Sequence, residues 1–482
     1  MRESNNLTML TDFYEFTMTN GLLQYGMGEK IVCFDMFFRT VPDDGGYAIM
    51  AGVEDLVDYM NHLSFSKDDI DYLRSKEIFS EEFLDYLAHF KFSCDVWAVP
   101  EGTPIFPGEP IVTVRGPVME AQLLETMVLL TINHQSLIAT KANRIVRAAN
   151  GRPVMEFGSR RAQGYDAAVS GARAAFIAGC SGTACSMTDE LYGVSALGTM
   201  AHSWVQMFDS EYESFRVYAK TYPHNCVLLI DTYNVLKSGL PNAIRVFRDV
   251  LLPMGIENMG IRIDSGDITY LTKKCREILY KEGFPQCQIC ISNSLDEYII
   301  QDTLMQGAEI DSFGVGERLI TSKSEPVFGG VYKLCAVENG EGQLVPRIKV
   351  SENVEKITNP GFKTVYRLFS KENDKAIADV ITLHGETICE EEPYMIFDPN
   401  HMWKRKIITN FTAKPLLERL FDKGNCVYEK RDIHDIRAYC KEQMNTLWSE
   451  VCRFENPHRY YVDLSQKLWD LKDNMLKKYA GE

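Results

Sequence analysis

GIRIDSGD, residues 260–267, is the stretch from which the fold is read. Gly260 to Asp264 has the composition of a short buried strand, and Ser265-Gly266-Asp267 is a tight polar turn opening a helix. Side chains alternate along a strand, so Ile261 and Ile263 share one face and Arg262 and Asp264 the other. A cation and a carboxylate on an apolar strand are costly to bury unless each is paired or a ligand uses them. The turn presents backbone N–H groups at a helix start, where phosphate is favoured. By itself the octapeptide reads equally well as a structural ion pair with a helix N-cap.

Outward from this stretch the same arrangement recurs. Strands are predicted at 153–157, 180–185, 194–198, 226–231, 260–264, 288–292 and 311–315, with helical periodicity over 203–220, 234–251, 267–282 and 295–307. Apolar strands alternating with helices imply a parallel sheet covered by helices. Eight clean units cannot be counted, so the expected form is an irregular TIM-type α/β barrel over residues 151–334. An open doubly wound sheet is the alternative, but no G-x-G-x-x-G follows a strand at the right place. Each strand ends in a polar or glycine-rich cluster: Phe157 to Arg161, Gly198 to Ser203, Asp231-Thr232-Tyr233, Asp264 to Asp267, Ser292-Asn293-Ser294, and Gly314-Val315-Gly316. Barrel active sites are built at the C-terminal strand ends, so six such clusters point to a shared anion-binding catalytic face.

The flanks read differently. Residues 1–150 form an N-terminal α/β, sandwich-like domain, completed by β-runs over 335–370, and residues 380–482 form a C-terminal extension. Its first helix, within 8–25, is expected to be capped by Asp12 with Glu15 closing a capping box. In the extension His401, Trp403 and His434 are isolated and read as structural. With 482 residues the chain is too long for one ordinary core. Its 67 acidic and 51 basic side chains leave a net charge of −16, which argues against a general nucleic-acid or membrane-surface binder. No signal-peptide apolar region and no membrane-spanning apolar run is present, and 13 scattered cysteines suggest reduced thiols, so a cytoplasmic protein is expected. Cys287-x-x-Cys290 has metal or redox spacing but no second pair at zinc-site distance, and reads as structural.

The chemistry of the clusters follows from their residue types. Arg160, Arg161 and Arg262 suit carboxylate or phosphate. Gly266, Gly314 and Gly316 let backbone approach a phosphate. Asp231 and Asp264 are acceptors for sugar hydroxyls, or for Mg²⁺ through water. His202 lies between small residues after a strand, and Tyr14 and Phe157 are rings on which a flat ligand can stack. No Ser–His–Asp order and no Cys–His pair is evident. A phosphorylated sugar meeting a flat anionic ring is the substrate pair these groups suggest.

These residues carry a resemblance. TDFYEFTM (11–18), FGSRRAQG (157–164), GTMAHSWV (198–205), DTYN (231–234), GIRIDSGD (260–267), ISNSLDE (291–297), GVGERL (314–319) and FGGVYKL (328–334) resemble the motifs of nicotinate phosphoribosyltransferase, in that family's order. The resemblance implies a type II phosphoribosyltransferase that works as a homodimer with its site completed across the interface. It implies the reaction of nicotinate and phosphoribosyl pyrophosphate to nicotinate mononucleotide and pyrophosphate, with ATP hydrolysed through a phosphohistidine matching His202. The ring-stacking aromatics match Tyr14 and Phe157, with Tyr14 serving the neighbouring subunit. Carboxylate and phosphate contacts match Arg160, Thr199 and Arg262; acceptors near the ribose match Asp231 and Asp264; the phosphate loop matches Gly314 and Gly316. Mg²⁺ would neutralise the departing pyrophosphate, and its ligands are not specified. One position departs from the pattern: Glu317 stands where some members carry Thr. A carboxylate beside a phosphate is repulsive, and Thr321 or Ser322 is the alternative hydroxyl. The competing readings are nicotinamide phosphoribosyltransferase, an aldolase or decarboxylase, which needs a strand-end lysine not found here, and a non-catalytic nucleotide sensor.

Overall fold

A computed structural model describes residues 6–353 and 356–480, so the extreme ends of the expected outer domains lie outside it. The chain divides into two compact units, residues 138–326 and residues 1–137 with 327–482.

Residues 138–326 are organised on a six-stranded sheet. Its order is Gly182–Thr183, Val154–Glu156, Ser312–Val315, Gln288–Ile291, Met259–Ile263, Cys226–Leu229, and every neighbouring pair is parallel. The sheet is the curled half of a barrel, the irregular form expected from the uneven strand rhythm. Ile261 and Ile263 are fully buried, and burying each contributes roughly 1.5–3 kcal/mol. Because the pairing is in register, Arg262 lies opposite Cys290 and Ile263 opposite Ile291, so the polar residues that follow emerge at one edge. Helix Ile268–Lys281 begins at the predicted turn, where Asp267 caps it by accepting from Tyr270 N at 2.8 Å.

Two expectations change here. The 194–198 run is no strand: it makes one bridge, Thr183 to Ala196, while Ala196 N donates to Asp189 Oδ2 at 3.1 Å. The predicted 234–251 helix is α-helical only over Leu240–Val246, between π-helical turns Val235–Gly239 and Phe247–Leu251. Pro241 removes an amide from the ladder, and Gly239 lies so close to the sheet that a Cβ there would sit 1.9 Å from Ile230 O.

The other unit holds a seven-stranded antiparallel sheet, ordered Leu344–Pro346, Val331–Glu338, Ile31–Phe37, Val112–Pro117, Asp95–Ala98, Glu418–Asp422, Asn425–Cys426. Val32, Phe34, Met36, Val96, Val112 and Val114 put its apolar face into the core. Its other face carries Asp35, Trp97, Thr113 and Arg115. A second sheet runs Phe411–Pro415, Lys363–Ser370, Ala376–Leu383, Val462–Leu464. The first helix spans Phe13–Gln24 with Asp12 at its N-cap, but the capping box does not form. Glu15 is fully buried and instead accepts from Thr126 Oγ1 at 2.6 Å and Thr126 N at 3.2 Å, a tertiary contact that outcompetes the local one. Cys287 and Cys290 are both buried free thiols.

Candidate active site

The strand ends of the parallel sheet converge on Arg262. Its Nε donates to Ser292 Oγ at 2.6 Å, its Nη1 to Thr199 Oγ1 at 3.1 Å and Met200 O at 3.3 Å, and its Nη2 to Asp264 Oδ1 at 3.1 Å. The fork is therefore held by neighbours from three segments, and with its side chain 13% exposed it is fixed before any ligand arrives. Residues 262, 264, 290 and 292 lie on one face by strand parity, which is why Arg262, Asp264 and Ser292 meet.

Phe157 follows strand Val154–Glu156 and lies beside this cation, with Arg262 Cζ 5.6 Å from the ring centroid. Gly314 makes that placement possible: a Cβ there would meet the Phe157 ring at 2.5 and 2.6 Å. A Cβ on Gly316 would lie 2.9 Å from Phe157 O. Glu156 anchors the turn from inside, accepting from Thr183 Oγ1 at 2.7 Å and from Gly158 N. Burial raises the Glu156 carboxyl above its usual range, against the lowering effect of those hydrogen bonds.

Asp231 ties the next strand end in. Its Oδ2 accepts from Ser265 Oγ at 2.6 Å and Asp264 N at 3.1 Å, while its buried Oδ1 has no partner. Gly266 adopts φ +92°, the left-handed region in which glycine is unstrained, and completes the turn. His202 starts a short helix, His202–Gln206, and stands 41% exposed beside the same group. Its Nδ1 lies 3.1 Å from Thr232 Oγ1 and its Nε2 3.9 Å from Asp264 Oδ2.

Phe157, Thr199, His202, Asp231, Arg262, Asp264, Gly266, Gly314 and Gly316 are thus one neighbourhood. Arg160 is exposed on the adjoining turn Ser159–Arg161 and makes no ion pair among the described residues. Tyr14 belongs to the other unit, on the exposed side of helix Phe13–Gln24, where burial and then Glu125 raise its hydroxyl pKa. Glu317 is neutralised locally: Lys323 Nζ is 2.7 Å from its Oε1 and Arg161 Nε 3.9 Å from its Oε2, which lowers the carboxyl, chiefly through the Lys323 hydrogen bond. Thr321 Oγ1 donates to Glu317 O at 2.8 Å, and buried Ser322 donates to Glu325 O at 3.0 Å. Sequence reasoning placed Ser292, Thr232 and Ser265 in the strand-end clusters but gave none of them a role of its own. In-register parallel pairing was the signal that places Ser292 beside Asp264.

The donor set holds one fixed cation, Arg262, with an exposed one, Arg160, on the adjoining turn, an aromatic wall and glycine-lined backbone, and can take a planar acid beside a phosphorylated sugar. The unpartnered Asp231 Oδ1 with Asp264 nearby fits a divalent cation or a ribose hydroxyl.

Comparison with known proteins matches family models on either side of the strand-end site and whole relatives across it. The profile of the nicotinate phosphoribosyltransferase N-terminal domain matches residues 9–133, and that of the C-terminal domain residues 362–472. A nicotinate phosphoribosyltransferase of Bacillus subtilis (strain 168) is 40% identical over 470 residues, 98% of this chain and 95% of the relative. One from Dictyostelium discoideum is 33% identical over 525 residues, 97% of this chain and 88% of the relative. The crystal structure of human nicotinic acid phosphoribosyltransferase matches with TM-score 0.83 at 26% identity, over 97% of this chain and 100% of that one.

Proposed function

The chain belongs to the nicotinate phosphoribosyltransferase family, and we propose that it joins nicotinate to phosphoribosyl pyrophosphate, releasing pyrophosphate in NAD biosynthesis. The observation that carries this reading is the pre-set Arg262 fork beside Phe157 at the strand ends. The nicotinate ring stacks on Phe157, with Arg262, Thr199 and Arg160 on its carboxylate and on phosphate. Its ring nitrogen forms the bond to C1′ of the sugar as the bond from C1′ to pyrophosphate oxygen breaks. Asp231 and Asp264 accept from the ribose hydroxyls, and Gly314 and Gly316 admit the phosphate to backbone. In place of a ribose hydroxyl, Asp231 and Asp264 would hold Mg²⁺, which would supply charge neutralisation for pyrophosphate.

ATP is the co-substrate. The His202 imidazole, steadied by Thr232 and bordered by Asp264, takes the γ-phosphoryl group as ADP leaves, and water later releases phosphate. Tyr14 completes the aromatic wall of a second copy's site in a homodimer; Leu10, Phe13, Tyr14 and Met18 are exposed apolar side chains on this segment. No helix among the described residues is long and apolar enough to cross a membrane, and every cysteine is a free thiol, in keeping with the cytoplasm.

Nicotinamide is the other ring to consider. Arg160, exposed on the turn after Phe157 and without an ion pair among the described residues, favours a carboxylate over a neutral amide. Incubation with phosphoribosyl pyrophosphate and an equimolar mixture of the two rings tests this. Nicotinate mononucleotide is the product expected; nicotinamide mononucleotide in excess would overturn the choice of ring.

A further inference from the structure

The face of the antiparallel sheet opposite the hydrophobic core carries only a small apolar cluster, Cys33, Cys335 and Ala336 with Leu344 and Phe362 against it. It opens into a cavity of about 290 Å³ whose walls include Trp97, Phe362, Tyr366 and His384. Phe362 and His384 are stacked with centroids 4.0 Å apart, and Trp97 faces the pair with its centroid 5.4 Å from Phe362 and 6.5 Å from His384. His384 is exposed and Trp97 and Phe362 are partly exposed, so the cavity they border is open to a flat ligand.

Lys363 lines the cavity but is paired with Asp35 at 2.8 Å, whereas a second cation, Arg115, lies against one of the lining rings. The Arg115 Cζ lies 5.9 Å from the Phe362 centroid, and Arg115 makes no hydrogen bond or ion pair among the described residues. Its neighbour Arg419 differs: it stacks over Trp97 at 5.4 Å but is already paired with Asp95 and Asp422 at 2.6 Å each. A half-buried guanidinium without a carboxylate is unusual on a chain with 67 acidic side chains, and it is the group that would hold an anion. Burial, then the Arg115 charge, lowers the His384 pKa and favours the neutral ring, which is the better stacking partner beside a cation.

We propose that this cavity is a second ligand site, for a planar aromatic ring bearing one carboxylate or phosphate, with the ring against Trp97, Phe362 and His384 and the anion on Arg115. None of these residues belongs to the strand-end constellation of residues 157–316, so the proposal stands independently of the reaction assigned there. Cavity size matches a mononucleotide or a two-ring aromatic acid.

Calorimetric titration of the full chain with adenosine 5′-monophosphate and, separately, with 2-naphthoate distinguishes the two sources of anion. Saturable binding of at least one probe is expected, weakened about tenfold or more in Arg115→Gln and in His384→Ala and retained in Phe157→Ala. Both cavity variants alter side chains that are at least partly exposed, and circular dichroism checks that each is folded. Absence of saturable binding by either probe at millimolar concentration would overturn the proposal. So would binding that survives both cavity substitutions, or that is lost with Phe157→Ala.

Discussion

Ser292 Oγ stands between Arg262 and Asp264, accepting from Arg262 Nε at 2.6 Å and donating to Asp264 Oδ1 at 2.6 Å. One hydroxyl therefore orients both the cation assigned to the acid and the carboxylate assigned to the sugar. A hydrogen bond between charged groups through a neutral hydroxyl contributes more than an ordinary one, and more still where water is scarce.

Ser292→Ala leaves a guanidinium N–H and a carboxylate oxygen without their shared partner. The expected loss in kcat/KM is about tenfold to a hundredfold, from roughly 1.5–3 kcal/mol of orientation. Melting temperature should change by only a few degrees, because the site is partly solvated. Initial rates of pyrophosphate release beside a thermal melt separate the two effects, and an unchanged kcat/KM would remove Ser292 from the site.

Gly314→Ala tests the aromatic wall without removing a polar group, although its Cβ also comes within 3.2 Å of Ser292 Cβ. Its new Cβ would lie within 2.6 Å of the Phe157 ring, which must then swing away. The KM for nicotinate should rise about tenfold or more, as one stacking contact of about 1–2 kcal/mol is lost. The KM for phosphoribosyl pyrophosphate should move less. Equal increases in both would mean that the sheet, not the ring, had shifted.

The Glu15 carboxyl is pushed up to about 7 by burial, from an ordinary value of 4.5, with its hydrogen bonds to Thr126 opposing the shift. Between those values the folded protein keeps a proton that the unfolded chain has released. Folded stability contributed by this group therefore falls as pH rises from 4.5 to 7 and is level above that. Burial raises Asp463 to about 7 as well, so both groups act in the same direction. Glu15→Gln keeps an acceptor for Thr126 and removes the titration. Relative to the parent, its urea-unfolding free energy should improve by about 1–3 kcal/mol between pH 5 and pH 8. Parallel stability curves across that range would refute the assignment.

Glu297 is fully buried and its Oε1 accepts from both Lys141 Nζ and Arg144 Nε at 2.8 Å. Glu297→Leu leaves these two cations in the interior without that carboxylate. The expected cost is about 3–5 kcal/mol, read as a lower urea midpoint. A loss under about 1 kcal/mol would show that the cluster rearranges or hydrates freely.

What was legible in the sequence follows from the range of each interaction. Strand Met259–Ile263, its turn and helix Ile268–Lys281 could be read because alternation, glycine and an Asp cap are local signals. Arg262 and Asp264 stood out because charged residues on an apolar strand need partners. The partners themselves are not local: Ser292 reaches them only through parallel pairing, and Thr232 meets His202 across 30 residues. Glu15 shows the converse. Its spacing from Asp12 fits a capping box, yet burial turned it to Thr126, 111 residues away. Residues 194–198 have strand composition but only one bridge, since Asp189 and a neighbouring backbone take their hydrogen bonds.

The most direct test measures pyrophosphate release from phosphoribosyl pyrophosphate with nicotinate or nicotinamide, with and without ATP, for the parent chain and His202→Ala. Nicotinate-dependent release, stimulated by ATP in the parent and insensitive to ATP in the variant, is the predicted result. Release supported only by nicotinamide, or an ATP stimulation that survives loss of the imidazole, would contradict it.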